Sequence, residues 1–148
     1  MSNAHFANLA KQGYNRVPVM RSVLSDYDTP LSVYHKLAKG PYSYLFESVQ
    51  GGEKWGRYSI IGLPCQTRLL INGNHIKEVH NGEVVQHQVA DDPLAWIEAY
   101  QKQFKVYAPS GMPVFSGGLV GYFGYDTIRF VEERLKNSTP EKDDIGAP

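Results

Sequence analysis

The sequence predicts an α+β fold, and two observations carry that prediction. Between Tyr42 and Val89, short apolar runs follow one another through turn signals, which is the pattern of an antiparallel β-meander. On either side, apolar residues recur at i, i+3, i+4, the spacing of amphipathic helices, and strands and helices do not alternate strictly enough for a parallel α/β sheet. The expected architecture is therefore an antiparallel meander with flanking helices.

In chain order, Phe6, Leu9 and Ala10 give His5 to Gln12 a helical spacing, and Gly13 can stop that helix. Arg16 to Leu24 alternates around Val17, Val19, Arg21 and Val23 and reads as a strand, with Pro18 favouring an edge or first position. Ser25 to Asp28 is a turn. Thr29 is an N-cap with Pro30 at the first helical position, and Leu31, Tyr34, Leu37 and Ala38 give that helix one apolar face before Gly40-Pro41. A hairpin follows, with strands Tyr42 to Val49 and Arg57 to Leu63 about a turn at Gly51-Gly52. Thr67 to Ile71 is the next strand. Asn72-Gly73-Asn74 turns it into His75 to His80, and Asn81-Gly82, a strong two-residue hairpin signal, leads to Glu83 to Val89. Asp91 and Asp92 cap a helix with Pro93 at its first position and an apolar stripe of Leu94, Ile97, Tyr100 and Phe104. Val114 to Tyr125 reads as a buried, glycine-bearing strand closed by Asp126, and Thr127 to Leu135 as a helix with Ile128, Val131 and Leu135 on one face.

Composition narrows the function classes. The 148 residues suffice for one domain with a core, and the 42% apolar and 20% charged shares are those of a globular protein. Ten tyrosines and a 12% aromatic share predict that rings dominate the core and its rim. Fifteen basic residues balance fifteen acidic ones, which argues against a nucleic-acid or membrane-surface partner. No run approaches the roughly 20 apolar residues of a membrane helix, and the N-terminus lacks the charged-then-apolar order of a signal peptide. A single cysteine, Cys65, permits no internal disulfide; it is expected to be a core thiol in a cytoplasmic protein. Residues 1–4 read as an expression scar, 5–135 as the domain, and the polar stretch 136–148, ending Gly146-Ala147-Pro148, as a linker.

No catalytic site emerges from this chain. Gly117-Gly118-Leu119-Val120-Gly121 is out of register for GxGxxG and lacks the Lys-Ser/Thr of a phosphate loop, and Gly51-Gly52-Glu53-Lys54 lacks the Walker spacing. His5, His35, His75, His80 and His87 have no ligand partners at metal spacing, so no metal site is expected. His75, His80 and His87 flank a hairpin and read as solvent-exposed strand positions. Asp91-Asp92 is a helix cap, Glu132-Glu133 a solvated helix face, and Asp126 a strand terminator that caps the next helix.

Glu47 and Ser48 remain. They end an apolar strand and are followed by a Gly-rich turn with Lys54, Trp55 and Arg57. Two readings stay open. One is a strand end with a solvated acid and a turn serine. The other is a hairpin mouth that presents groups of both charges to an amino-acid-sized ligand, the carboxylate for its amine and a cation for its carboxylate.

Four blocks, in order, also match a family. They are Gly13-Tyr14-Asn15-Arg16-Val17-Pro18-Val19, Asp28-Thr29-Pro30-Leu31-Ser32-Val33-Tyr34, the run Tyr44 to Gly62, and Gly117-Gly118-Leu119-Val120-Gly121-Tyr122-Phe123-Gly124-Tyr125-Asp126. Together they resemble the N-terminal region of component I of anthranilate synthase. The resemblance implies the lyase that makes anthranilate and pyruvate from chorismate in tryptophan biosynthesis, with ammonia from a glutamine amidotransferase subunit, component II. It places Glu47 and Ser48 in the tryptophan feedback site, with Leu45 and Phe46 as walls and Arg57 as a basic partner. It also implies that the chorismate- and Mg²⁺-binding residues belong to a C-terminal catalytic domain beyond this chain, so that the fragment alone is inactive and carries no catalytic residue. Two alternatives accompany it: the N-terminal part of aminodeoxychorismate synthase component I, of the folate pathway, and a structural or interaction module that binds no ligand.

Overall fold

A computed structural model of the chain describes residues 3–47, 58–113 and 115–135. The helices are α1 (Asn3–Lys11), α2 (Pro30–Leu37), α3 (Pro93–Lys102) and the short α4 (Ile128–Val131). The strands are β1 (Tyr44–Glu47), β2 (Ser59–Gly62), β3 (Thr67–Asn72), β4 (His75–His80) and β5 (Glu83–Val89). All strand pairs are antiparallel, and the fold class is α+β as expected. The single meander is not: β1 and β2 form one two-stranded sheet, and β3-β4-β5 forms a separate three-stranded one. The Leu63-Pro64-Cys65-Gln66 connection separates them, and Pro64 has no N–H with which to extend a ladder.

Two compact units result, Met1–Met20 with Ala90–Pro148, and Arg21–Val89. In the first, Gly13 ends α1 at φ 85°, a conformation that favours glycine. Asn15 then acts as a two-pronged clamp: its Nδ2 donates to the Gln103 carbonyl at 2.7 Å and its Oδ1 accepts from the Lys105 N–H at 2.8 Å. Arg16 and Val106 form a parallel bridge beside it. Rings seal the seam: Tyr14 meets Tyr107 edge-on at 5.4 Å, and the Arg16 guanidinium lies 4.6 Å from the centre of the Phe104 ring. Asp92 caps α3 by accepting from the N–H groups of Leu94 and Ala95, both at 3.0 Å, with Pro93 at the first position.

In the second unit, α2 opens with a reciprocal capping box between Thr29 and Ser32 and has Pro30 in its first turn. Its Tyr34 hydroxyl meets Ser43 Oγ at 3.0 Å, which anchors the helix to the chain entering β1. The β4–β5 turn places Asn81 and Gly82 at φ 51° and 88°, as a type I′ turn requires. A bulge at Glu78/Val79 shifts the β4–β5 register.

Several expectations fail, each for a physical reason. Arg16 to Leu24 is not a strand: only Arg16 pairs, Pro18 removes a ladder donor, and Val19, Val23 and Leu24 are 83%, 73% and 88% exposed. Described residues of the Val114 to Tyr125 segment form no strand either and are exposed, Tyr122 and Phe123 among them at 74% and 67%; Val114 itself lies outside the described residues. A strand needs a partner for its N–H and C=O groups, and no described strand supplies one. Thr127 to Leu135 is broken into α4 between two single 3₁₀ turns, because Glu132 leaves helical space at φ −105°, ψ 99°. Asp126 caps nothing by its side chain; its Oδ1 instead pairs with Arg129 Nε at 3.0 Å. Glu132 is half-buried and pairs with Arg134 rather than lying on a solvated helix face. Cys65 is exposed rather than a core thiol, because it sits in the surface connection between the two sheets. Among the described residues the buried apolar side chains are aliphatic, Leu9 in the first unit and Ala38, Ile76 and Val79 in the second, and the described rings are half-buried or exposed. The Gly51-Gly52 turn falls outside the described residues.

Candidate functional site

The β1–β2 hairpin carries the residues singled out in the sequence. Its register pairs Tyr44 with Gly62, Leu45 with Ile61, Phe46 with Ile60 and Glu47 with Ser59. Directly opposed residues share a face and successive residues alternate. Leu45, Glu47, Ser59 and Ile61 therefore occupy one face, and Tyr44, Phe46, Ile60 and Gly62 the other. Leu45 and Phe46 do not line the same side of the hairpin. On the second face the Tyr44 and Phe46 rings lie 4.8 Å apart, and the Tyr44 ring covers Gly62 so closely that a Cβ there would stand 2.0 Å from it. Ser48 and Arg57 lie outside the described residues.

The Glu47 face adjoins a cleft. Ser59 and Ile61 line an open cavity of about 710 Å³ together with Tyr58, Val23, Ser25, Val33 and the residues that lead into α2, Asp28 to Pro30. Its lining mixes Val23, Val33, Ile61, Pro30 and Tyr58 with hydroxyl and carboxylate side chains, a mixture suited to a ligand with an apolar body and a polar end. Two acids stand near it, and they differ. Asp28 Oδ1 accepts from Lys36 Nζ and, at 2.7 Å, from Ser32 Oγ. Glu47 is exposed and forms no ion pair with the described residues.

The Lys36 hydrogen bond, followed by that from Ser32, holds the Asp28 carboxyl below its ordinary value of 3.8. The folded chain then binds fewer protons at Asp28 than the unfolded chain does. The resulting stabilisation is fully present above the unfolded value and is lost as pH falls through the lower folded one. Asp28→Asn is accordingly expected to lower the unfolding temperature at neutral pH, with the gap to wild type closing below about pH 4. Thermal unfolding followed by circular dichroism at several pH values checks this; a gap that stays constant with pH would contradict it.

Sequence reasoning did not single out Tyr58 and Ser59 as site residues. The signal was there in the pairing: placing Leu45 opposite Ile61 puts Ser59 across from Glu47. His75, His80 and His87 are exposed on their strands, as expected. His80 Nδ1 meets Thr67 Oγ1 at 3.0 Å, and His75 and His87 stack on each other. Among the described residues no three His, Cys, Asp or Glu side chains converge on a metal site, and no helix is long and apolar enough to cross a membrane.

Over all of its 148 residues the chain is 52% identical to anthranilate synthase component 1 of Pseudomonas putida and 50% identical to that of Pseudomonas aeruginosa. It is 41% identical over 122 residues to the Aquifex aeolicus protein of the same name. The chain spans 30% of the length of the two Pseudomonas relatives, at their N-terminal end. No family model and no solved structure matches it.

Proposed function

We propose, for a chain that belongs to the anthranilate synthase component 1 family and corresponds to the N-terminal 30% of its relatives, a regulatory role built on the β1–β2 hairpin. The parent subunit would convert chorismate, with ammonia from a glutamine amidotransferase partner, to anthranilate and pyruvate. This N-terminal region would carry part of the tryptophan feedback site. The observation that carries the reading is the position of Glu47: an exposed carboxylate, not paired to any described cation, on the hairpin face that continues into an apolar-walled cleft.

In this reading Glu47 accepts from the tryptophan ammonium, and Ser48 and Leu45 stand beside it. Arg57 is assigned to the tryptophan carboxylate, and Phe46, on the opposite hairpin face, would reach the ligand only from the strand end. Inhibition is then a shift of population. Tryptophan favours a closed-off state over the chorismate-competent one only by the difference in its affinity for the two, typically about 1–3 kcal/mol of coupling.

Calorimetry with tryptophan on the full-length subunit tests the assignment. Glu47→Ala removes a charge-assisted hydrogen bond worth about 1.5–3 kcal/mol, so affinity is expected to fall at least about tenfold. Equal affinity in variant and wild type would sink the regulatory reading. A second reading, a contact module for the rest of the subunit, is favoured by the exposed rings of Tyr122, Phe123 and Tyr125. Unchanged calorimetry would leave that reading standing in its place. Product analysis, anthranilate against 4-amino-4-deoxychorismate, separates the tryptophan-pathway enzyme from its folate-pathway relative.

A further inference from the structure

The outer face of the three-stranded sheet carries a feature that the regulatory reading does not use. The register places His75 opposite Val89 and Lys77 opposite His87, so His75 and His87 are diagonal neighbours on one face. Their rings lie 5.4 Å apart, and His75 Nδ1 stands 3.3 Å from His87 Nε2. Both side chains are exposed, so ligation would require no burial of charge.

We propose that His75 and His87 form a two-imidazole chelating site for a borderline divalent transition metal, Zn²⁺ being the type case. The separation is the central fact. Two Zn–N bonds of about 2.05 Å at a tetrahedral angle hold their nitrogens about 3.3 Å apart. The hairpin already holds the two nitrogens at that distance, so little reorganisation is needed before a metal enters. Without metal, one imidazole N–H points at the other ring's lone pair. With metal, each ring keeps its proton on the far nitrogen, Nε2 of His75 and Nδ1 of His87, and each turns a lone pair inward. Both rings remain neutral, no electron moves, and water takes the remaining positions.

Residue type selects the ligand. Imidazole suits Zn, Cu and Ni, whereas the oxygen donors that Mg²⁺ and Ca²⁺ prefer are absent from the pair. Among the described strand residues paired with or flanking the two rings on this face, the charged one, Lys77, opposes binding: it lies two residues from His75 and directly across from His87. Its flexible stem lets the ammonium swing into solvent, so it weakens the site without blocking it. The other neighbours on this face, Leu70, Asn72 and Val89, carry no charge. His80 is an internal control. It is exposed on the same strand, but its Nδ1 faces Thr67 Oγ1 rather than a second imidazole.

Zn²⁺ titration of the 148-residue chain, followed by the imidazole ¹⁵N resonances, tests the site. His75 and His87 are expected to move together on one binding curve, with His80 responding only at higher concentration, and a chelator should reverse the change. His75→Asn and His87→Asn should each weaken binding at least about tenfold, because the second imidazole acts at high effective concentration. Lys77→Glu removes the repulsive charge and adds a carboxylate, and should tighten binding. Independent curves for the two rings would overturn the proposal. So would affinity unchanged in either asparagine variant, or His80 titrating with the pair. Because the positions are exposed, the variants should fold normally, and Mg²⁺ in place of Zn²⁺ should leave all three rings unmoved.

Discussion

Gly62→Ala is expected to destabilise the chain by about 2–3 kcal/mol, the upper range for overpacking a fitted site. The new methyl would stand 2.0 Å from Tyr44 Cε1 and 2.4 Å from two further ring atoms. The ring must leave its place over Gly62, and in doing so it loses the Phe46 ring 4.8 Å away. Backbone conformation plays no part, since Gly62 is not among the positive-φ glycines; the requirement is for space alone. Tyr44→Ala in the same background removes the obstacle. The double variant should therefore be less destabilised than the sum of the single changes, and urea midpoints of the four proteins measure that coupling. An unchanged midpoint for Gly62→Ala alone would mean that the ring does not sit there. The functional consequence is direct: Glu47 and Ser59 face each other only while this register holds. In the full-length subunit Gly62→Ala should also weaken any response to tryptophan.

The second large effect is expected at Ile76, which is 1% exposed. Ile76→Ala deletes three carbons from a site that cannot collapse freely between paired strands, at a cost of about 2–5 kcal/mol. Few residues in this unit are as deeply buried, with only Ala38 and Val79 alongside it among its described apolar side chains. A whole protein is stable by only about 5–15 kcal/mol, so the unfolding temperature should fall by about 5–15 °C. Val84→Ala on the neighbouring strand is the matched control. Val84 is 55% exposed, and its truncation should change stability by no more than about 0.5 kcal/mol. Comparable losses at the two positions would mean that burial does not discriminate between them.

What was legible in the sequence was local. Thr29-Pro30, Asp92-Pro93, Gly13 and Asn81-Gly82 each act through their own backbone conformation or a hydrogen bond within three residues. Each was placed correctly from the chain alone. What failed depended on distant partners. Arg16 to Leu24 and Val114 to Tyr125 have strand-like composition, but composition cannot supply a neighbouring strand. Cys65 has an apolar neighbourhood in sequence and an exposed one in space, because the two sheets part beside it. The candidate site divides in the same way. Glu47 was found from its place at a strand end, but its union with Ser59 and the cleft beside α2 required the register. The meeting of His75 and His87 rests on a diagonal cross-strand geometry that no sequence spacing announces.

The Asn15 clamp bears on the order in which the molecule assembles. It joins residues 88 positions apart, from Asn15 to Gln103, and the stretch Arg21–Val89 lies wholly between its ends. Closing a flexible loop of that length costs about 4 kcal/mol in chain entropy before any contact is made. Two hydrogen bonds and a few ring contacts only modestly exceed that figure. If Arg21–Val89 condenses first through its own short-range hairpins, its ends are drawn together and the remaining closure is that of a much shorter chain. The inserted unit thus acts as an internal template for the discontinuous one, and a lesion in the hairpins should slow the joining of the two chain halves that they never contribute to.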